Sequence, residues 1–382
     1  MKTLYQNGKI YVSEQKSFVC GSVIINDGII TRVYFNGENI TECFDEQVDL
    51  NGARIAPGLI DVHTHGRVGG DFCYANSEKI HEMSESYKKR GSTSVMATLA
   101  TAPLDDLHSS IDKICNDCRR GDSVYVGVHL EGRYLNEKRK GAHNADLLAP
   151  LNANEISDIV KDIKRVGYAH VSAALELDES GDFTAVAIYG GATLGLAHSN
   201  ATYEEATKAF ERGAVSLTHT YNAMSPLHHR DVGAVGAGLL TEGVYCELIC
   251  DGFHVSPEAV RLAYTLKKEK IVLITDSVAG TGMPDGESFI GGLAVFIKDG
   301  KARLADGTIA GSTLTLADGI KNLAEFAKIP YEEALYCATA SPAKMIGAYD
   351  HIGSIDEGKI ANMIILDDDN NVSEVIFRGV KI

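Results

Sequence analysis

Pro57-Gly58-Leu59-Ile60-Asp61-Val62-His63-Thr64-His65-Gly66 joins an apolar run to two histidines spaced by one residue. Residues two apart on a strand face the same way, so a strand here aims His63 and His65 at one target. The run from Leu59 to Val62 does not alternate with polar residues, which is the pattern of a strand buried on both faces. Seven further runs follow: Ser94 to Leu99, Val124 to Leu130, Val171 to Leu177, Thr193 to Ala197, Ala214 to Leu217, Val244 to Ile249 and Ile271 to Ile274. Most precede a helical stretch. Thr202 with Glu205 makes a capping box ahead of the stripe Tyr203, Ala206 and Phe210, and Gly213 stops that helix. Ser256-Pro257 sets a cap residue before a first-turn proline. Eight such units between residues 58 and 347 predict an α/β fold, a (β/α)8 TIM-type barrel, with an open doubly wound sheet as the alternative.

The ends read differently. Gly8 to Val12, Ser22 to Ile25 before an Asp27-Gly28 turn, Asn362 to Leu366 and Val375 to Phe377 are short β-type runs. Residues 1–57 and 348–382 are therefore expected to meet as one small β-sandwich domain beside a catalytic barrel over 58–347. A chain of 382 residues with a net charge of −16 speaks against nucleic acid and an anionic membrane surface as partners. A small anionic substrate needs only a local cationic pocket. The first residues lack the apolar core of a signal peptide, and no apolar run is long enough to span a membrane. Eight scattered cysteines in so long a chain suggest reduced thiols and a cytoplasmic enzyme.

Polar residues fall at the ends of these runs. His63 and His65 close the first, His129 and Glu131 the third, His198 the fifth, His219 the sixth, Asp251 with His254 the seventh and Asp276 the eighth. In a barrel, strand C-termini share one rim, where catalytic groups belong. Imidazoles and carboxylates without convergent thiolates suit a catalytic divalent cation, Zn²⁺ foremost, with Fe²⁺, Mn²⁺ or Co²⁺ also compatible. Glu131, His198 and His219 can hold one ion and leave a position open for water. His63 and His65 can hold a second. The fourth run has no lysine to bridge two ions, which leaves Glu131 as the bridging anion. Asp276 has the chemistry of a general base and equally of a further ligand. His129, on the same face as Glu131, serves either behind the ligands or in packing. Cys115 with Cys118 and His228-His229 are read as surface or packing thiols and a solvated loop pair.

These motifs identify a resemblance. Pro57 to Gly66 resembles the first-strand signature of the amidohydrolase superfamily. His129-Leu130-Glu131-Gly132, Lys140-Gly141-Ala142-His143-Asn144, Thr218-His219 with Tyr221-Asn222-Ala223-Met224, Asp251-Gly252-Phe253-His254, Thr275-Asp276-Ser277 and Ile309 to Thr315 are similar to its N-acetylglucosamine-6-phosphate deacetylase family. The similarity runs in order along nearly the whole chain. It implies hydrolysis of the N-acetyl group of a sugar phosphate, in amino-sugar catabolism and cell-wall sugar recycling, by a homodimer holding one or two metal ions per subunit. It implies that Glu131, His198 and His219 bind the main ion and that Asp276 is the acid/base. His143 and Ala142 would touch the sugar, and Asn222, Ala223, Arg230, Asp251 and His254 would hold sugar and phosphate. Ile309, Ala310 and Gly311 would line the acetyl end. Arg133 and Asn144-Ala145 depart from the family's usual residues beside the site, and Asn362 departs in the C-terminal strand. The same chemistry on the galactosamine epimer or a cyclic amide, a barrel that binds without turnover, and a lyase or isomerase are the competing readings.

Overall fold

A computed structural model describes residues 1–382. Eight parallel strands lie side by side in sequence order: β1 (Leu59–Thr64), β2 (Ser92–Leu99), β3 (Tyr125–Glu131), β4 (Tyr168–Ala173), β5 (Ala192–Leu196), β6 (Ser216–Leu217), β7 (Tyr245–Ile249) and β8 (Ile271–Ile274). The ring closes where β8 meets β1. The Asp276 N–H donates to His63 O at 2.9 Å, and the Thr275 hydroxyl donates to Asp61 Oδ2 at 2.6 Å. This is the barrel, and the open sheet is excluded. Every residue of β1, β2, β7 and β8 is buried, as expected of strands covered on both sides.

Helices α1 (Ser77–Lys89), α2 (Leu104–Cys118), α3 (Ala153–Ile163), α4 (Asp182–Tyr189), α5 (Tyr203–Glu211), α6 (Gly233–Leu240), α7 (Pro257–Lys267) and α8 (Leu316–Ala327) pack against the strands. Helix α3 shows why: Ile156, Ile159, Val160 and Ile163 recur at helical spacing and are the residues it buries. The capping box of Thr202 and Glu205 forms as read, and Ser256 accepts from the Ala259 N–H ahead of Pro257.

The fourth run is corrected. Its strand is Tyr168–Ala173, and Leu175–Leu177 is a single 3₁₀ turn. The Ala174 N–H leaves the ladder for Tyr134 O, while Leu175 stays apolar because it packs in the main core.

Both termini enter one further sheet of eight strands. Met363–Leu366 pairs antiparallel with Arg54–Pro57, which ties the two ends together. The Asp27-Gly28 turn joins its strands with φ of 48° and 81°, both positive, as a two-residue hairpin turn requires. Ile10, Val23, Ile30, Ile55, Met363 and Ile376 give this sheet its own core. An antiparallel sheet that the sequence reading missed follows β8. Its strands are Gly286–Ile290, Leu293–Lys298, Lys301–Arg303 and Ile309–Ser312. Their strand alternation around Gly291-Gly292 is the hairpin signal that was available.

Candidate active site

His198, His219 and Asp276 each lie two residues beyond the last residue of β5, β6 and β8. All three have left-handed backbones, with φ of 44°, 31° and 48°. For a residue with a side chain this costs about 1–3 kcal/mol, and such strain persists where surrounding structure holds it for a function. His63 and His65 come from the end of β1, and Glu131 closes β3.

These side chains converge. Glu131 Oε1 is 2.9 Å from His219 Nε2 and 3.4 Å from His198 Nε2, and the two ring nitrogens are 3.1 Å apart. Glu131 Oε2 faces the other way, 3.0 Å from His65 Nε2 and 3.3 Å from His63 Nε2. Asp276 Oδ1 lies 3.2 Å from His65 Nε2 and 3.5 Å from His63 Nε2. One carboxylate therefore divides two sets of donors.

The donor set fits a divalent cation. His198 Nδ1 lies 2.8 Å from the Arg139 carbonyl, an acceptor only, so Nδ1 carries the proton and the Nε2 lone pair points into the cluster. Lone pairs and a carboxylate converging at about 3 Å repel one another unless positive charge lies between them. Ligand bonds of about 2.0–2.1 Å in tetrahedral geometry place neighbouring donors roughly 3.3 Å apart, close to the separations found. The field agrees. Burial opposes charge on His65, yet Asp276 and Glu131 outweigh it and bring it up to about 9. Burial likewise opposes ionisation of Glu131, and His63, His198 and His219 hold it well below the usual carboxylate range.

Above the cluster opens a cleft of about 370 Å³, lined by Ala142, His143, Asn222, Ala223, His254, Ile309 and Gly311 with the ligand-type residues. A small metabolite fits that scale. The Thr101 backbone N–H donates to His143 Nδ1 at 3.4 Å, which leaves the proton on Nε2. Burial, with His198 nearby, keeps His143 neutral by holding its pKa well below the ordinary value. Asp251 Oδ2 is 2.6 Å from His254 Nδ1, and Asp251 Oδ1 accepts the Phe253 and His254 N–H groups at 2.8 Å. Asp251 thus orients His254 from behind and does not line the cleft itself.

Two further substrate contacts expected from the sequence are placed elsewhere. Ala310 is fully buried and packs with Val278 and Ile290 in the core of the four-stranded sheet, so only its neighbours face the cleft. Arg230 is exposed in the loop after β6, 2.8 Å from His229 Nε2 and outside the cleft of its own chain. Sequence reasoning missed Lys138 and Arg139, the cationic side chains that do line the cleft, and Ile290 and Thr308. Their position just ahead of Lys140-Gly141-Ala142-His143 was the signal for the first two.

His129 sits under the cluster, its ring 4.5 Å from that of His63 and its Nε2 2.8 Å from Ser172 Oγ. Cys115 and Cys118 are free thiols on α2. Asn362 holds backbone together, accepting from the Arg378 N–H at 2.8 Å.

The model of the amidohydrolase family matches residues 54–382. The chain is 34% identical over 366 residues to the N-acetylglucosamine-6-phosphate deacetylase of Vibrio furnissii, covering 92% of this chain and 90% of that one. It is 33% identical to the N-acetylgalactosamine-6-phosphate deacetylase of Escherichia coli O157:H7, covering 93% of each. The crystal structure of N-acetylglucosamine-6-phosphate deacetylase from Pasteurella multocida superposes with a TM-score of 0.92 at 28% identity over the full length of both chains. No helix here is long and apolar enough to cross a membrane.

Proposed function

The chain belongs to the amidohydrolase family, and on that premise we propose that it hydrolyses the N-acetyl group of N-acetylglucosamine 6-phosphate, giving glucosamine 6-phosphate and acetate. The observation that carries this reading is the convergence of Glu131, His198, His219 and Asp276 under a cleft of metabolite size. The relatives matched along nearly the whole chain are deacetylases, which speaks against a sensor, a lyase or an isomerase.

Glu131, His198 and His219 would hold the main divalent ion, and His63, His65 and Asp276 would hold a second. Zinc is the ion this ligand chemistry favours first, with Fe²⁺, Mn²⁺ and Co²⁺ accommodated. Such a cation would supply Lewis acidity to the acyl group and make water a better nucleophile near neutral pH. Asp276 takes the proton of the attacking water. Burial favours its neutral form, but His63 and His65 facing it bring its pKa below the usual value. It then returns that proton to the departing amine. His143, with Nε2–H facing the cleft, donates to the developing oxyanion.

Asn222, Ala223 and His254 hold sugar and phosphate, and Ile309 and Gly311 bound the acetyl end. Lys138 and Arg139 add positive charge within the chain. Arg230, exposed outside its own cleft, would serve the cleft of a second copy in a homodimer, the arrangement the family resemblance implies. Eight free cysteines support a reducing, cytoplasmic setting.

Acetate release from the metal-loaded protein tests the reading, with the gluco and galacto acetamido sugar phosphates assayed in parallel. Faster turnover of the gluco epimer supports it. Preference for the galacto epimer would reassign the substrate, and binding without acetate release would leave a sensor.

A further inference from the structure

Glu247 lies inside the barrel on β7 with no exposed surface. The mechanism above does not use it. The Ser216 hydroxyl donates to its Oε1 at 2.9 Å, and His170 Nε2 stands 3.5 Å from the same oxygen. Its Oε2 stands 3.5 Å from His63 Nδ1. Neither His63 Nδ1 nor Glu247 Oε2 has a hydrogen-bond partner elsewhere. Each is the one group able to answer the other.

His63 has a carboxylate on both sides. Its Nε2 faces Glu131 and Asp276, and its Nδ1 faces Glu247. A neutral imidazole carries one proton. If that proton sits on Nδ1 towards Glu247, the Nε2 lone pair is aimed into the donor cluster. The opposite tautomer aims an N–H there and closes the position to a cation. A carboxylate behind a ligating imidazole also raises its basicity. His170 closes the far side. Its Nδ1 bonds Thr193 Oγ1 at 2.8 Å, and the Thr193 hydroxyl donates onward to Ala169 O, so the imidazole opposite Glu247 is itself held in place.

We infer that Glu247 is a positioning residue that sets the tautomer of His63 and thereby controls occupancy of the second cation position beside His65 and Asp276. This rests on the two-cation reading given above. The position that uses Glu131, His198 and His219 does not depend on it, because His198 takes its orientation from the Arg139 carbonyl.

The test is a Co²⁺ titration of the metal-free full-length protein, followed by calorimetry and by the visible absorption of the bound ion. The unsubstituted protein binds two equivalents. Glu247→Met leaves the first unchanged and weakens the second by roughly 10- to 100-fold, the range for losing a group behind a ligand. Glu247→Gln keeps an acceptor for Nδ1 and loses the charge, so it falls between the two, and it carries the test if the methionine variant cannot hold the first equivalent. Wild-type affinity for both equivalents in both variants would overturn the inference. So would parallel weakening of both equivalents in Glu247→Gln, which marks a folding role. A single equivalent in the unsubstituted protein would overturn the two-cation reading instead.

Discussion

Gly311 lies against the backbone of Asp276. A Cβ at Gly311 would come within 2.7 Å of the Asp276 carbonyl oxygen and 2.5 Å of Val278 Cγ1, and the glycine has a φ of 63°. The Ser312 N–H donates to that same carbonyl at 2.7 Å. The strand Ile309–Ser312 therefore sets where the Asp276 carboxylate stands. Gly311→Ala is expected to destabilise the protein by about 1–3 kcal/mol, from strain at an obligatory left-handed position, and to lower kcat at least tenfold. Thermal unfolding and steady-state kinetics check it; unchanged values would show that the contact relaxes freely.

Asp276→Asn removes the group that moves the proton while leaving its volume. Turnover should fall by about 10²–10⁴, the usual contribution of a positioned acid/base, with KM changed little. Near-normal kcat would take the proton-transfer role away from Asp276.

Arg230 and Lys138 are proposed to meet the phosphate from different places. Arg230→Ala should raise KM for the phosphorylated sugar by about tenfold or more, the scale of one lost charge-assisted hydrogen bond, with little effect on the unphosphorylated sugar. If Arg230 acts across a dimer, mixing Arg230→Ala with Asp276→Asn subunits should restore part of the lost activity. Lys138→Ala acts within its own cleft and should show no such complementation. Equal losses on both sugars would contradict a phosphate role.

The Asp251–His254 pair predicts a pH dependence. Burial raises the pKa of Asp251, but His254 and the backbone N–H groups at Phe253 and His254 outweigh it, and the folded value lies below the ordinary one. A depressed acid stabilises the fold above its unfolded pKa of about 3.9, and that contribution fades as pH falls through the lower folded value. Asp251→Asn should be less stable than the unsubstituted protein by about 1 kcal/mol at neutral pH, with the gap closing in acid. Denaturant unfolding from pH 7 down to pH 3 measures it. A gap that widened in acid would reverse the sign argued here.

What the sequence by itself determined is periodicity and chemistry. Eight buried runs with helices between them specify a barrel, and histidines and carboxylates at the ends of those runs specify one rim, because strand C-termini of a barrel meet there. The turn at Asp27-Gly28 and the cap at Thr202 were legible because each depends on a few adjacent residues. What only the tertiary structure decided depends on groups far apart in the chain. The proton on His198 is placed by the carbonyl of Arg139, the two oxygens of Glu131 are sorted between two sets of imidazoles, and Glu247 meets His63 across the barrel. Lys138 enters the cleft while Arg230 leaves it, although both are loop cations of similar sequence character. Local patterns select elements, whereas the distances that choose a tautomer, a ligand or a charge exist only once the ring has closed.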